Sequence, residues 1–378
     1  MLRGYKTEIN PTKEQKLYIH KAMGTCRFVY NLFLQRHEEI YKKEERYLSG
    51  NEFIKWLNEV FIKENQEYNW IKEVSSKSIM QVVNNGDRAF KRFYNRQAPH
   101  PKFKKKNKSD IKLYFVRNTK DSIIKCERHR IKVPFIGWIR LKEKGYIPIS
   151  NKGFHIISGT LSYKAGRYYV SVIIDMPDEN KKVNKISDGL GIDLGIKDFA
   201  ILSNGRVYKN INKTIKVRNI EKKIKREQRR LSRGKNKSNN FKKKKLLLQK
   251  KHLHLFSIRT DYINKIIDEI IKENPKYIVI ENLKVSEMVK DKHLSKSIAC
   301  QKFFEFRNKL VFKTYNNNIE LRIANRWFPS SKICHNCGNI KKNLKLSDRI
   351  YECSCGYKVD RDFNAALNLK DCKDYIVA

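Results

Sequence analysis

The chain has 378 residues, with 83 lysines and arginines against 39 acidic residues, a net charge of +44. Self-repulsion on that scale calls for a polyanionic partner, and nucleic acid is the evident one; an anionic membrane is disfavoured because no apolar run approaches roughly 18 residues and no lipidation motif is found. At 40% hydrophobic and 11% aromatic content this is no disordered basic tail, and the length suits two or three domains.

Residues 1–10 read as a strand closed by Pro11. Their opening, Met1-Leu2-Arg3-Gly4-Tyr5-Lys6, lacks the apolar core of a signal peptide, so a soluble cytoplasmic chain is expected. Thr12 stands at the N-cap of a helix beginning Lys13-Glu14-Gln15-Lys16-Leu17. That helix is predicted over 12–47, with Tyr18, Met23, Phe28, Val29, Leu32 and Phe33 on its apolar side, and further helices over 51–63 and 76–95. Past Pro99-His100-Pro101 the texture turns to short alternating runs, including 129–133, 139–141 and 168–174. They predict a β-rich, barrel-like segment over about 102–177, with the first strand a candidate member. Residues 178–187 are polar and read as a linker.

Next, Leu190, Ile192, Leu194 and Ile196 alternate with Gly191, Asp193 and Gly195, and Phe199 to Leu202 lead into Asn204-Gly205, a hairpin pattern. Residues 211–252 are strongly basic and predict two helices broken around Gly234-Lys235-Asn236-Lys237-Ser238. Ile263, Ile266, Ile267, Ile270 and Ile271 recur at helical spacing before Asn274-Pro275. Tyr277-Ile278-Val279-Ile280 is a buried strand that runs straight into Glu281. A helix over 297–316, a strand near 319–324, a cysteine cluster and a last helix from about 362 complete the pattern.

Three acids stand at element ends. Asp193 lies opposite the apolar face of its strand, between two glycines that would let a bulky polyanion or a metal come close. Glu281 follows a buried strand at its carboxyl end, where open α/β sheets bind ligands. Asp362 opens the last helix. Taken singly, each has an ordinary reading: a turn residue, a surface acid, a helix N-cap. Together they suit phosphodiester hydrolysis by two divalent ions about 3.5–4 Å apart, and carboxylates favour Mg²⁺.

Four of the eight cysteines cluster. Cys334 and Cys337 form a C-x-x-C-G knuckle, and Cys353 and Cys355 a tighter C-x-C-G one. Four thiolates from two turns make a closed structural Zn²⁺ site, a zinc ribbon, worth roughly 10–16 kcal/mol in zinc-finger peptides. His335 is a spare candidate ligand. Cys26, Cys126, Cys300 and Cys372 are scattered and read as inert thiols. The basic helices, with Lys222, Lys223, Lys225, Arg226, Arg229, Arg230 and Lys242 to Lys245, would track phosphates without reading bases. A second basic tract, Lys102 to Lys108, mixes charge with Phe103 and the nearby Tyr114 and Phe115.

Four stretches resemble the TnpB (OrfB) family encoded by bacterial insertion sequences. They are Gly191-Ile192-Asp193-Leu194-Gly195, Ile278-Val279-Ile280-Glu281-Asn282-Leu283, Phe328-Pro329-Ser330-Ser331-Lys332 and Asp360-Arg361-Asp362-Phe363-Asn364-Ala365-Ala366. The resemblance implies an RNA-guided DNA endonuclease related to type V CRISPR effectors. It implies an α/β fold: an RNase H-like (RuvC) nuclease domain over 185–378, with basic helices at 211–254 and an inserted zinc ribbon at 331–358. Before it would lie a recognition lobe over 1–184, a split, wedge-like β-barrel from 1–10 and 100–184 with a helical recognition segment, 11–99, inserted. Asp193, Glu281 and Asp362 carry over as the Mg²⁺ (or Mn²⁺) ligands, with Asp360 the fallback for the third, and Lys77 and Gln81 as readers of a short DNA motif. The implied partners are a guide RNA and double-stranded target DNA, on a monomer in a prokaryotic cytoplasm. An RNA-guided repressor that does not cut and a transposase accessory protein are the competing readings; a repressor of this kind would be expected to lack one of the acids. Base pairing would supply sequence specificity, leaving charge and shape to the protein.

Overall fold

A computed structural model of the chain describes residues 2–106, 112–117, 124–149, 155–176, 188–234, 238–345 and 348–378. The expected linker at 178–187, the core of the break at 235–237 and the end of the second basic tract, Lys108, lie outside the described residues. Two compact units are present, Met1–Glu179 and Asn180–Ala378.

The first unit opens with strand β1 (Leu2–Asn10) and helix α1 (Lys13–Glu44). Thr12 caps α1 through a reciprocal capping box with Gln15. Helices α2 (Gly50–Trp56) and α3 (Ile62–Glu64) flank a π-helical turn at Leu57–Phe61. A 3₁₀ segment, Gln66–Glu73, leads to α4 (Ser76–Tyr94). Helices α1 and α4 pack together on Phe33, Leu34, Val83 and Phe90. Gly86 is required there, because a Cβ on it would stand 2.6 Å from the Phe33 ring. Strands β2 (Leu113–Val116), β3 (Arg130–Val133), β4 (Gly137–Leu141), β5 (His155–Lys164) and β6 (Arg167–Asp175) follow. They form one antiparallel sheet in the order β2-β5-β6-β1-β4-β3, so the N-terminal strand sits inside a sheet whose other members lie more than a hundred residues on. The barrel-like expectation is met in part. The edge strands β2 and β3 have four residues each and do not pair with one another among the described residues, which leaves an open half-barrel.

The second unit holds β7 (Leu190–Leu194), β8 (Asp198–Leu202), β9 (Val207–Lys209), α5 (Ile215–Ser232), α6 (Asn239–Lys272), β10 (Tyr277–Ile280), α7 (Val285–Met288), α8 (Ser295–Gln301), α9 (Phe303–Asn316), β11 (Glu320–Ala324), β12 (Ile350–Glu352), β13 (Lys358–Asp360), α10 (Arg361–Lys370) and β14 (Tyr375–Val377). Its main sheet runs β14-β11-β10-β7-β8-β9. Strands β7, β10 and β11 are parallel, and β8, β9 and β14 run antiparallel to their neighbours. Gly205, at φ +86°, turns β8 into β9 as the Asn-Gly pair predicts.

The central strands are buried on both faces, and their side chains alternate between two cores. Leu190, Ile192, Ile278 and Ile280 face Ile263, Ile266 and Ile267 of α6 and Phe303, Phe306 and Leu310 of α9. Val279 faces the other way, with Leu369 of α10. Two elements depart from expectation. The basic and isoleucine-rich segments are one 34-residue helix, because no glycine or proline separates them. The helix expected over 297–316 is split at Lys302, which adopts φ +58°.

Candidate functional site

Strand parity places the acids. Asp193 lies two residues beyond Gly191, on the face opposite Ile192. A Cβ on Gly191 would stand 2.0 Å from the Ala366 carbonyl and 2.5 Å from the Lys370 nitrogen of α10. The glycine therefore admits a helix backbone, and not the ligand that the sequence suggests. Gly195 has the same character: its Cβ would meet the Asp198 carbonyl at 3.0 Å within the hairpin. Because Ile280 pairs with Ile192, Glu281 leaves β10 beside Asp193 on the same α10-facing side. Asp362 is the second residue of α10, at the end nearest the strand termini.

Burial raises the proton affinity of Asp193 well above the ordinary carboxylate value, and the charges of Glu281 and Asp362 raise it further. Glu281 is also pushed up by burial; the Ser330 hydroxyl, donating to its Oε1 at 2.6 Å, opposes that shift, and Asp362 adds to it. Carboxylates that press on one another in this way make a candidate cation site, and the Arg361 charge offsets part of the repulsion on Asp193. Asp362 is held meanwhile by Arg361, whose Nε and terminal nitrogen lie 3.2 and 3.1 Å from Oδ1, with an Arg349 nitrogen 3.7 Å from Oδ2. Asp360 is exposed and spends its carboxylate as the α10 N-cap, accepting from the Asp362 and Phe363 amides at 3.0 and 3.1 Å.

The four cysteine sulfurs converge, with one donor atom each lying within 4.8 Å of the others; among the described residues no other group of three or more candidate ligands is so tight, the acids included. Cys334 and Cys355 sulfurs are 3.7 Å apart, and those of Cys337 and Cys353 3.6 Å. A tetrahedron with metal–sulfur arms of about 2.3 Å has edges of about 3.8 Å, so the set fits Zn²⁺ and the shortened second knuckle still reaches. Peptide N–H groups aim at sulfur. The Cys355 amide is the main cause pulling Cys353 down to about 6, and the Tyr357 amide lowers Cys355. Cys337 accepts from the Asn339 amide, yet its sulfur neighbours push it up to about 12. Gly338 and Gly356, at φ +76° and +84°, turn the two knuckles. His335 is not a member of the sulfur group, and its Nδ1 lies 3.7 Å from Asp371.

Residues that pattern alone did not mark join the two centres. Asn364 and Asn368, one turn apart on α10 and both buried, donate to the Ile333 carbonyl at 2.7 Å each, and Asn368 also donates to the Ser330 carbonyl at 2.8 Å. The buried Tyr351 hydroxyl donates to the Lys332 carbonyl at 3.1 Å. The ribbon is thus fixed to the helix that carries Asp362, while Ser330 reaches Glu281. Two asparagines at i, i+4 on an otherwise apolar helix face were the available signal.

Arg226, Arg229 and Arg230 are exposed on α5, as are Lys222, Lys223 and Lys225. Helix α5 packs on α6 through Val217, Ile224 and Leu255. In the first unit, Lys77 is exposed and Gln81 half-buried one turn on; Gln81 donates to Asn85 at 3.1 Å. No helix among the described residues is long and apolar enough to cross a membrane.

Comparison with known proteins bears on what such a site serves. A family model described as OrfB, "Probable transposase", matches residues 171–292; a Cas12f1-like TNB domain matches 303–369, and a helix-turn-helix domain 1–46. A protein of Escherichia coli (strain K12) named "Putative RNA-guided DNA endonuclease InsQ" is 30% identical, over 97% of this chain and 91% of its own length. A Streptomyces pristinaespiralis protein named "Putative RNA-guided DNA endonuclease" is 29% identical, over 97% of this chain and 88% of its own length. The Cas12f1 chain from a solved complex with sgRNA and target DNA has a TM-score of 0.58 at 15% identity, covering 98% of each chain, a likeness of fold.

Proposed function

From the premise that this chain belongs to the TnpB (OrfB) family, we propose that it is an RNA-guided DNA endonuclease whose cutting centre is Asp193, Glu281 and Asp362. One observation carries the reading: two strand-end carboxylates whose burial and mutual charge raise their proton affinity, beside a third acid on a helix clamped to the same sheet. The strand order, with a three-stranded antiparallel meander and two parallel strands added beyond its first member, supports an RNase H-like (RuvC) assignment.

Three oxygen donors with no sulfur or imidazole among them suit Mg²⁺ or Mn²⁺. Bound there, such ions supply an activated water and charge neutralisation at the attacking and leaving oxygens. The chain's own groups prepare the site. Strands β7 and β10 hold two carboxylates side by side. Ser330 fixes one oxygen of Glu281 and leaves the other free. Arg361 holds Oδ1 of Asp362 through two guanidinium nitrogens, a charge-assisted contact that fixes the carboxylate's position. Zn²⁺ on Cys334, Cys337, Cys353 and Cys355 would hold the Ser330 segment in place through Asn364 and Asn368.

The remaining assignments follow from charge and placement. The exposed cations of α5 are suited to the phosphates of guide RNA or target DNA. The half-barrel and helices of the first unit would serve as the recognition lobe, with Lys77 and Gln81 on its α4 face. The chain would act as a monomer in a prokaryotic cytoplasm. Purification from cells under mild salt, followed by sequencing of bound RNA, tests guidance. One defined RNA species is expected; RNA of no consistent sequence would contradict it.

A further inference from the structure

The loop from Asn325 to Ser331 has one end fixed in the acid cluster and the other displayed to solvent. Ser330 is buried, with its hydroxyl on Glu281 and its carbonyl accepting from Asn368. Three residues earlier, Trp327 is 81% exposed, whereas Trp56, Trp70 and Trp138 are each partly buried. A displayed indole gives up the burial that makes tryptophan valuable. The loop beneath it is well braced. Asn325 Oδ1 accepts from the Trp327 amide at 3.1 Å, the Phe328 amide donates to the Asn325 carbonyl at 3.0 Å, and the Asn325 amide donates to the Asp374 carbonyl at 2.9 Å. Arg326 pairs with Glu287, and its guanidinium lies 5.1 Å from the Trp327 ring centre. Lys332 is exposed just beyond the loop.

We propose that Trp327 is a stacking platform for an unpaired nucleobase of the DNA strand entering the carboxylate cluster, an inference that rests on reading that cluster as a nuclease site. Every base has a π face, and stacking on one aromatic side chain is worth about 5- to 150-fold in affinity. Lys332, exposed just beyond the loop, is a cation within the same segment for a neighbouring phosphate, while Arg326 is held by Glu287 beside the indole. A duplex hides its bases, so this platform selects a strand that has already been opened. The brace through Ser330 ties the position of the stacked base to that of Glu281.

The test uses the full chain without added divalent metal, titrated with oligodeoxythymidylate of about ten residues at about 0.2 M salt, where pure phosphate binding is weakened. Tryptophan emission and oligonucleotide anisotropy are read together. Quenching is expected in the natural chain and is largely lost in Trp327→Phe, which keeps the affinity within about threefold because a phenyl ring still stacks. Trp327→Ala should bind at least about fivefold more weakly, and an abasic oligonucleotide should bind the natural chain as weakly. Equal binding of oligodeoxythymidylate by Trp327→Ala and the natural chain, or of abasic and normal strands by the natural chain, overturns the proposal. So does an oligouridylate that binds many-fold more tightly than the DNA strand, since it would assign the platform to RNA. No bond is cut in these titrations, so their outcome is separate from whether Asp193→Ala abolishes cleavage.

Discussion

Asp193→Asn should stabilise the metal-free protein while abolishing cutting. The substitution keeps shape and removes one buried charge from a site that already holds Glu281 and Asp362. Side chains on adjacent strands stand about 5 Å apart, and two unit charges at that distance repel by roughly 3 kcal/mol at an effective dielectric of 20. Protonation relieves part of that repulsion, so a gain of about 1–3 kcal/mol is expected, or roughly 3–8 °C in Tm for a domain of this size. The pH dependence has a definite sign. An acid whose folded pKa is raised contributes no penalty below its unfolded pKa of about 3.9, and stability is then lost as pH rises through the folded value. The two proteins should therefore melt together near pH 4 and diverge toward pH 8. Added Mg²⁺ should close the gap, because only the natural chain binds it fully. Thermal melts across that range, with and without Mg²⁺, provide the readout. If Asp193→Asn melts below the natural chain at pH 8 without metal, or if Mg²⁺ shifts both equally, the electrostatic account is refuted.

Ser330→Ala removes the hydroxyl from Glu281, and we expect the Mn²⁺ concentration needed for half-maximal binding, followed by paramagnetic resonance, to rise about tenfold, with Ser330→Thr near the natural value. Unchanged Mn²⁺ binding in Ser330→Ala would remove Ser330 from the site. Cys353→Ser should lose most bound zinc by elemental analysis and loosen protection of the Ser330 segment in hydrogen exchange; full zinc retention would contradict the four-sulfur site. Gly191→Ala drives a Cβ into the α10 backbone and should cost about 3 kcal/mol in denaturant melts, whereas an unaffected midpoint would mean that the helix does not approach the strand. Replacing Arg226, Arg229 and Arg230 together should weaken nucleic-acid binding and lower its log–log salt slope by about 2–3; an unchanged slope would take α5 out of the interface.

Much of this was legible because local rules decide it. Thr12 with Gln15, Asn204-Gly205, the run Tyr277 to Ile280 and the paired cysteines each specify a local structure that packing leaves intact. Long-range pairing was less readable. Nothing near Leu2–Asn10 says that the strand pairs with β6 and β4, and β5 was missed because its Ser158-Gly159-Thr160 centre lacks the usual apolar alternation. The positions of Asp193 and Glu281 followed from strand parity, but the closing contacts did not. Asn364 and Asn368 act through backbone carbonyls brought near by the ribbon, and Ser330 through its hydroxyl on Glu281; the i, i+4 spacing of the two asparagines marks a helix face but not its partners. The choice between Asp360 and Asp362 came from resemblance in the sequence; in the structure Asp360 caps α10 through Oδ1 and Asp362 meets Arg361 and Arg349.

The central claim is that Asp193, Glu281 and Asp362 are the cutting centre of an RNA-directed enzyme. Its most direct test is a plasmid carrying a sequence matched to the copurified RNA, incubated with the protein–RNA complex and Mg²⁺ and scored for linear product. The account predicts linearisation by the natural chain and by Asp360→Ala, which gives up about 1 kcal/mol of helix capping. It predicts no linear product with Asp193→Ala, Glu281→Ala or Asp362→Ala. Cutting that survives any of those three substitutions, or that proceeds equally on an unmatched plasmid, would contradict it.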